Sequence, residues 1–304
     1  MQKTFIIDGG LGRVITAIPA LEKYVRTQGN CNIIIHYWTP ILWGNKTLTP
    51  HVLDASTKNI YKLIKDTRII KPEPYYNSDY LNGKINLADA WNQELNQDNE
   101  TMPVPKLYLS RDEHRKGSLV RNNNSARVIA FQPFGSTAEI TENEVYDTTM
   151  RSLNADTAKK IVRYLRSQGY SLWLLTDKMI PFLQASDFIN FSSANIREVA
   201  AAMSHCDYFV GVDSSGQHLA RCMHVPGTVI MGGTNTKNVS YPDYFNILND
   251  NSEKTYMPYR MADFDIWLSG IENDGIMDFD DNKIAEINKS IVKHLKENVK
   301  QRKT

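Results

Sequence analysis

Twice along this chain, a short apolar run ends in a glycine-bearing turn and passes into a stretch of helical period. TFIID (residues 4–8) gives way to Gly9-Gly10-Leu11-Gly12, after which Val14, Ile15, Ile18, Leu21 and Tyr24 share one helical face. NIIIHY (32–37) reads as the next strand. A helix at about 56–66 and a short strand at 67–71 follow, and then loops marked by Pro72, Pro74, Pro103 and Pro105. A second series begins at Val128. VIAFQ (128–132) is a strand and Pro133-Phe134-Gly135-Ser136 a loop. Asn154 caps a helix at 154–168 whose stripe is Ala158, Ile161, Val162 and Leu165. SLWLLT (171–176), a helix at 195–204, YFVGVD (208–213), a helix at 215–223 and TVIMG (228–232) continue it. Strands alternating with helices predict an α/β fold with parallel, doubly wound sheets.

The chain therefore divides into an N-terminal domain over 1–120 and a second domain over 121–280. The polar stretch 111–126, with Asn122-Asn123-Asn124, reads as the linker. The amphipathic tail at about 282–299, with Ile284, Ile287, Ile291, Val292 and Leu295, is expected to pack back on the first domain. A length of 304 residues suits two domains, and 41% apolar with 23% charged residues excludes collagen and wholesale disorder. Net charge of +1 excludes a generally basic nucleic-acid coat. Three cysteines without CxxC spacing read as reduced thiols of a cytoplasmic protein. Neither a signal peptide nor a membrane span is expected.

Two loops draw chemistry. Gly10, Gly12 and Arg13 open the first helix, where glycines let a ligand approach and free N–H groups attract an anion. The full GxGxxG and its partner acid are absent, which argues against a dinucleotide and for a phosphate or acceptor loop. In the second domain, YFVGVDSSGQHLARCMHVPGTVIMGG (208–233) delivers Asp213 to a strand's carboxyl end, where open α/β sheets bind ligands. Ser214, Ser215 and Gly216 then suit a diphosphate, with His218 one turn further in as an imidazolium and Gly232 in a second small-residue loop. Helix caps and a core histidine account for the same residues equally well.

The segment VGVDSSGQHLARCMHVPGTVIMGGT resembles the donor-site signature of heptosyltransferase-like GT-B glycosyltransferases, family 9: Asp213, Ser215, Gly216, His218, Leu219, then Pro226 and Gly232. GLGRVITAIPALEKY (10–24), VIAFQPFGS (128–136) and RSLNADTAKKIVRYLRSQGYSLWLLTD (151–177) resemble further stretches, in the family's order and over about half the chain. The resemblance implies a GT-B architecture, two Rossmann-like domains facing across a cleft. It implies inverting transfer from a nucleoside-diphosphate sugar, without metal or other cofactor. Gly135, Ser136, Arg151, Asp213, Ser214, Ser215, Gly216, His218 and Gly232 then form the donor site.

One departure matters. The family's opening loop usually carries an aspartate as the base, and here the position holds Arg13, which cannot accept a proton. Either another carboxylate serves, first Asp8 and then Asp89, or the loop binds an anion. A non-catalytic nucleotide-sugar-binding module is the alternative. Asp263-Phe264-Asp265 and Asp278-Phe279-Asp280 match a metal-binding DxD pattern but follow the nucleotide unit and read as surface loops. Residues 1–126 carry 16 Lys/Arg against 12 Asp/Glu, a net +4, and the remainder is −3. Lys58, Lys62, Lys65, Arg68 and Lys71 recur as a stripe, and Trp38, Trp43, Tyr75, Tyr76, Tyr80 and Trp91 offer stacking surfaces. The expected acceptor is a polyanion: the hydroxymethyl group of hydroxymethylcytosine in phage DNA first, lipopolysaccharide or another envelope glycan second.

Overall fold

A computed structural model describes residues 1–54, 56–121, 126–176, 178–191, 193, 195–250 and 275–301. The first unit contains β1 (Lys3–Ile7), α1 (Leu11–Gln28), β2 (Cys31–Ile35), β3 (Val52–Leu53), α2 (Ile60–Ile64), β4 (Arg68–Ile70), α3 (Ser78–Leu81) and α4 (Leu87–Asn96). Its strands are all parallel, in the order β3-β2-β1-β4. Alternation along β1 turns Phe5 and Ile7 into the core, where Val14, Ile15, Ile18 and Leu21 of α1 meet them. The helix expected at 56–66 shrinks to the five residues of α2. Asn59 precedes it in the left-handed region (φ 56°), and Tyr61 and Leu63 point out to solvent, so packing does not extend the turn.

The second unit contains α5 (Arg111–Gly117), β5 (Val128–Gln132), the β6 (Glu139–Ile140) and β7 (Val145–Tyr146) hairpin, α6 (Ala155–Ser167), β8 (Ser171–Leu174), α7 (Ile196–Ser204), β9 (Tyr208–Val212), α8 (Ser215–Cys222), β10 (Gly227–Ile230), α9 (Thr236–Val239), β11 (Asn246–Leu248) and α10 (Asp281–Gln301). A separate parallel sheet runs β11-β10-β9-β5-β8. The doubly wound expectation holds for both halves.

Two expectations are corrected. Residues 111–117 form α5 rather than an extended linker. Ser110 and Glu113 close a capping box, and Gly117 lies so close to the Ala201 backbone that a Cβ would come within 2.4 Å. By this packing α5 belongs with the second unit, ahead of the expected boundary at 120; Asn122, Asn123 and Asn124 lie outside the described residues. The terminal helix also departs from its expected place. Ile287, Ile291, Val292 and Leu295 join Ile161, Val162 and Leu165 of α6 in the second unit's core, and His294 Nδ1 is 2.6 Å from the Tyr208 hydroxyl. One face of that sheet needs cover, and α10 supplies it rather than docking on the first domain.

The two units share a hydrophobic cluster in which α1 packs on α8. Arg197 of α7 ties them further. The residue is 5% exposed, and its guanidinium donates to the carbonyls of Pro40 (3.1 Å), Trp43 (2.6 Å) and Tyr108 (2.6 Å) and pairs with Glu113. The Arg197 hydrogen bond holds the Glu113 carboxyl down at about 2, well below its ordinary value. Replacing Arg197 by Met strands Glu113 and three carbonyls, so urea unfolding is expected to lose about 3 kcal/mol. A depressed carboxyl stabilises the fold at pH values above its unfolded pKa and stops doing so as the pH falls through the folded one. The wild type therefore loses stability between about pH 4.5 and 2, a dependence that Arg197→Met is expected to flatten.

Candidate functional site

The carboxyl end of β1 turns at Gly9 (φ 85°), whose carbonyl accepts from Trp38 Nε1, and α1 begins beyond it. Arg13 does not reach out of this loop. It is 4% exposed, with Nη1 at 2.8 and 3.0 Å from the Glu73 oxygens and Nη2 at 3.1 Å from the Pro72 carbonyl. The rings of Tyr75 and Trp91 lie 5.1 and 5.2 Å from its guanidinium carbon. Asp8 Oδ1 approaches Nη2 at 3.4 Å. Glu73 and Asp8 therefore neutralise Arg13, which corrects the reading of it as a ligand-facing anion binder. Asp8 Oδ2 is 2.8 Å from Lys71 Nζ, while Oδ1 is buried without a hydrogen bond, as is Arg13 Nε. Asp89 is different. Its oxygens accept from Met102 N (2.7 Å) and Asn86 Nδ2 (3.0 Å) at the start of α4, and burial raises its pKa. It secures the 102 loop, so its candidacy as a base loses its geometric support.

In the second unit, Asp213 is a buried strut. It accepts from Gln217 Nε2 (2.7 Å) and Thr234 Oγ1 (2.8 Å) and pairs with Arg151 at 3.7 Å. The glycines supply space more than donors. Gly216 N is bonded to Gln132 Oε1 (2.9 Å) and Gly135 N to Ser152 Oγ (2.9 Å), so neither amide awaits a phosphate. A Cβ on Gly232 would stand 2.0 Å from the Met150 carbonyl; the glycine lets segment 149–151 lie against the sheet edge. That segment aims Arg151, 8% exposed, whose Nε donates to Thr149 Oγ1 and whose Nη1 donates to the Asp213 carbonyl. Its Nη2 is buried without a partner. Ser214 and Ser215, partly exposed, open α8 beside it, while Ser136 is exposed at the loop tip. Met150 holds φ 51°, a strained value for its type, where the chain turns to present Arg151.

Gln132, Asp147, Thr149 and Ser152 escaped the sequence reading. Burial alone would raise the Asp147 carboxyl, but bonds from Ser152 and Thr149 and the Arg151 charge outweigh it and lower its pKa. Its one sequence signal is the hydroxyl-rich run Asp147-Thr148-Thr149-Met150-Arg151-Ser152.

The two loops meet. A Cβ on Gly12 would fall 2.7 Å from His218 Cδ2. Tyr80, fully buried, is within electrostatic reach of Arg13 on one side and of Asp213 and Arg151 on the other. His218 is enclosed and bonded through Nδ1 to the Tyr241 hydroxyl (2.9 Å), and burial pushes its pKa down to about 4. At neutral pH it is an uncharged imidazole, which corrects the expected imidazolium.

The basic stripe is only partly continuous. Lys58, Lys62 and Lys65 are exposed, Lys65 pairs with Asp66, and Lys71 pairs with Asp8. Tyr75, Tyr80 and Trp91 are core residues, which removes half of the expected stacking surface. Asp280 caps α10 through Lys283 N (2.7 Å), and Asp263 and Asp265 lie outside the described residues. Among the described residues, no three His, Cys, Asp or Glu side chains cluster as metal ligands, and no helix is long and apolar enough to cross a membrane.

No family model matches the chain, and no curated protein matches it. Solved structures do. A family 9 glycosyl transferase from Veillonella parvula aligns over 99% of this chain and 98% of its own at 13% identity, with a TM-score of 0.65. The iron-containing dodecameric glycosyltransferase TibC from enterotoxigenic E. coli aligns over 100% of this chain and 77% of its own, at 12% identity and a TM-score of 0.63. The E. coli ADP-heptose lps heptosyltransferase II aligns over 82% and 90%, at 12% identity and a TM-score of 0.51. The fold is GT-B. Its two units meet at the seam where Gly12 faces His218.

Gly12→Ala is expected to overpack that seam and cost about 1–3 kcal/mol in urea unfolding. Truncating the opposed side chain in Gly12→Ala/His218→Ala should recover part of it, as a double-mutant cycle would register. Because His218 is held neutral, it supports the fold above about pH 6.5 and ceases to as the pH falls through about 4. Thermal melts should show this acid slope in the wild type and less of it in His218→Gln.

Proposed function

We propose that this protein is an inverting glycosyltransferase that moves a sugar from a nucleoside-diphosphate sugar to a hydroxyl acceptor. The observation that carries the reading is Arg151: a buried cation with an unpartnered Nη2, beside the start of α8, at the carboxyl edge of a doubly wound sheet. Ser136, Ser214 and Ser215 flank it. As the bond from the anomeric carbon to the diphosphate breaks, negative charge grows on the leaving oxygen, and fixed donors there stabilise the transition state more than the ground state. Asp8, paired with Arg13 through Oδ1 and with Lys71 through Oδ2, is the proposed base for the acceptor hydroxyl. The neighbour TibC has been solved with ADP-D-beta-D-heptose, which makes ADP-heptose the first donor to try. No cofactor enters the scheme, and the cytoplasm is the proposed compartment.

The acceptor is argued from charge and exposure. Hydroxymethylcytosine in DNA rests on the basic stripe, which ends at Lys71 beside Asp8, and on the expected aromatic platform. With Tyr75, Tyr80 and Trp91 in the core, that platform has less support. Tyr61, Leu63 and Ile69 stand exposed among the lysines, which favours an amphiphilic, anionic glycan such as lipopolysaccharide.

The test is transfer from ADP-, UDP- and GDP-sugars to hydroxymethylcytosine duplexes, unmodified DNA and lipopolysaccharide, with EDTA controls. Transfer that survives EDTA and loses donor affinity about tenfold or more in Arg151→Met is expected, the size of a lost charge-assisted hydrogen bond. Donor binding without hydrolysis or transfer would instead identify a binding module, which Arg13 at the family's base position favours. Loss on chelation with recovery in Mn²⁺ would place a metal in the reaction.

A further inference from the structure

The turn after β2 carries an aromatic pair that neither the core nor the donor side uses. Ile7 of β1 pairs with Ile35 of β2, and the ladder runs one residue further, with His36 N donating to the Ile7 carbonyl at 3.2 Å. His36 therefore stands beside Asp8 at the carboxyl edge of the first sheet, since neighbouring strands lie about 5 Å apart. Trp38 N donates back to the His36 carbonyl (2.8 Å), and Tyr37 between them holds φ 66°. This is a γ-turn of the rare, strained hand, at a position where glycine would fit without strain. The tyrosine found there is 79% exposed, and its ring stacks on His36 with centroids 3.8 Å apart and planes 23° from parallel. The imidazole backs one face, so the exposure belongs to the other face and the rim. Trp38 Nε1, bonded to the Gly9 carbonyl (3.2 Å), fastens the turn to the loop after β1.

We propose that the His36–Tyr37 stack is a platform for a sugar ring of the acceptor, which lays its apolar C–H face on the tyrosine beside Asp8. The role of Asp8 rests on the proposed sugar transfer, whereas the stack rests on the geometry of the turn. Backbone strain of this kind persists only where the surroundings hold it, and it clusters at ligand sites. Here Trp38 and the strand ladder hold it, and what it presents is an aromatic face in water. Exposure selects a sugar over a nucleobase. An extruded base sits in an enclosing pocket between stacked side chains, while Tyr37 offers a single face in the open. A pyranose needs one such face, and the phenol hydroxyl at the rim can bond its polar edge.

Calorimetric titration would compare the wild type with Tyr37→Gly, Tyr37→Phe and His36→Ala. The probes are the oligosaccharide obtained by deacylating lipopolysaccharide and, separately, ADP-heptose. Tyr37→Gly should bind the oligosaccharide about tenfold more weakly, the size of a lost stacking contact, and Tyr37→Phe should stay near the wild type. His36→Ala, without the backing ring, should fall between them. ADP-heptose affinity should not change. Because glycine adopts φ 66° freely, Tyr37→Gly should match or exceed the wild-type unfolding midpoint, which a ring needed only for the fold would not allow. Three outcomes overturn the proposal: a wild type that binds no oligosaccharide, a Tyr37→Gly variant that binds it equally well, or a Tyr37→Gly midpoint well below the wild type. A hydroxymethylcytosine duplex bound in place of the oligosaccharide, and lost in Tyr37→Gly, would give the ring to a nucleobase instead. Should the wild type bind no nucleotide-sugar while the oligosaccharide result holds, the platform stands and the sugar transfer falls.

Discussion

A guanidinium buried between two domains costs free energy for every donor left unmet, and Arg197 meets its donors on both sides of the seam. Pro40 and Trp43 lie in and just after the 3-10 turn that follows β2 in the first unit, whereas Glu113 belongs to α5 of the second. Because carbonyl oxygens accept only over a narrow range of distance and direction, the set holds one domain orientation better than its neighbours. The rest of the cleft follows from that orientation. α1 comes to rest on α8, Gly12 meets His218, and the carboxyl edges of two separate sheets face the same gap.

Within the gap, the glycines and the charges have different roles. A glycine-rich turn invites the idea that its amides hold a phosphate, but Gln132 and Ser152 already satisfy Gly216 and Gly135. Removing a Cβ lets neighbouring side chains come close enough to build the frame. Gly232 admits the Met150 carbonyl, Met150 bends back, and Arg151 is carried to the sheet edge with one nitrogen unsatisfied. A buried unpartnered donor on a cation costs free energy in the empty protein, and an anionic ligand would relieve that cost.

The alternation of strand and helix was legible because it is a local property: period two and period 3.6 are written in side-chain order. β5, α6, β9 and α8 begin and end within a residue or two of their expected bounds. Partnership was not legible. The stripe on α10 states that one face must be buried, but not whether α6 or the first domain will bury it. Lys58 to Lys71 has helical spacing, yet spacing cannot reveal that no surface waits to pack a longer α2. Asp213 was rightly marked as a residue of the sheet edge, but its strut role depends on Thr234 and Gln217 closing round it in space.

Arg13 shows how one side chain organises a loop. An aspartate at that loop position would leave Glu73 and Asp8 as two like charges near a third. An arginine draws them together instead, and Tyr75 and Trp91 close over the pair. The guanidinium becomes a brace for the loop it was expected to arm. Asp8 is shared between two cations, Oδ1 facing Arg13 at 3.4 Å and Oδ2 held by Lys71 at 2.8 Å. The loop after β1 therefore spends its charge on its own closure, whereas the second unit keeps in Arg151 a buried cation with one nitrogen unpartnered. A brace and an unsatisfied donor are opposite uses of the same guanidinium chemistry, and the difference is set by how many acceptors each loop brings within reach.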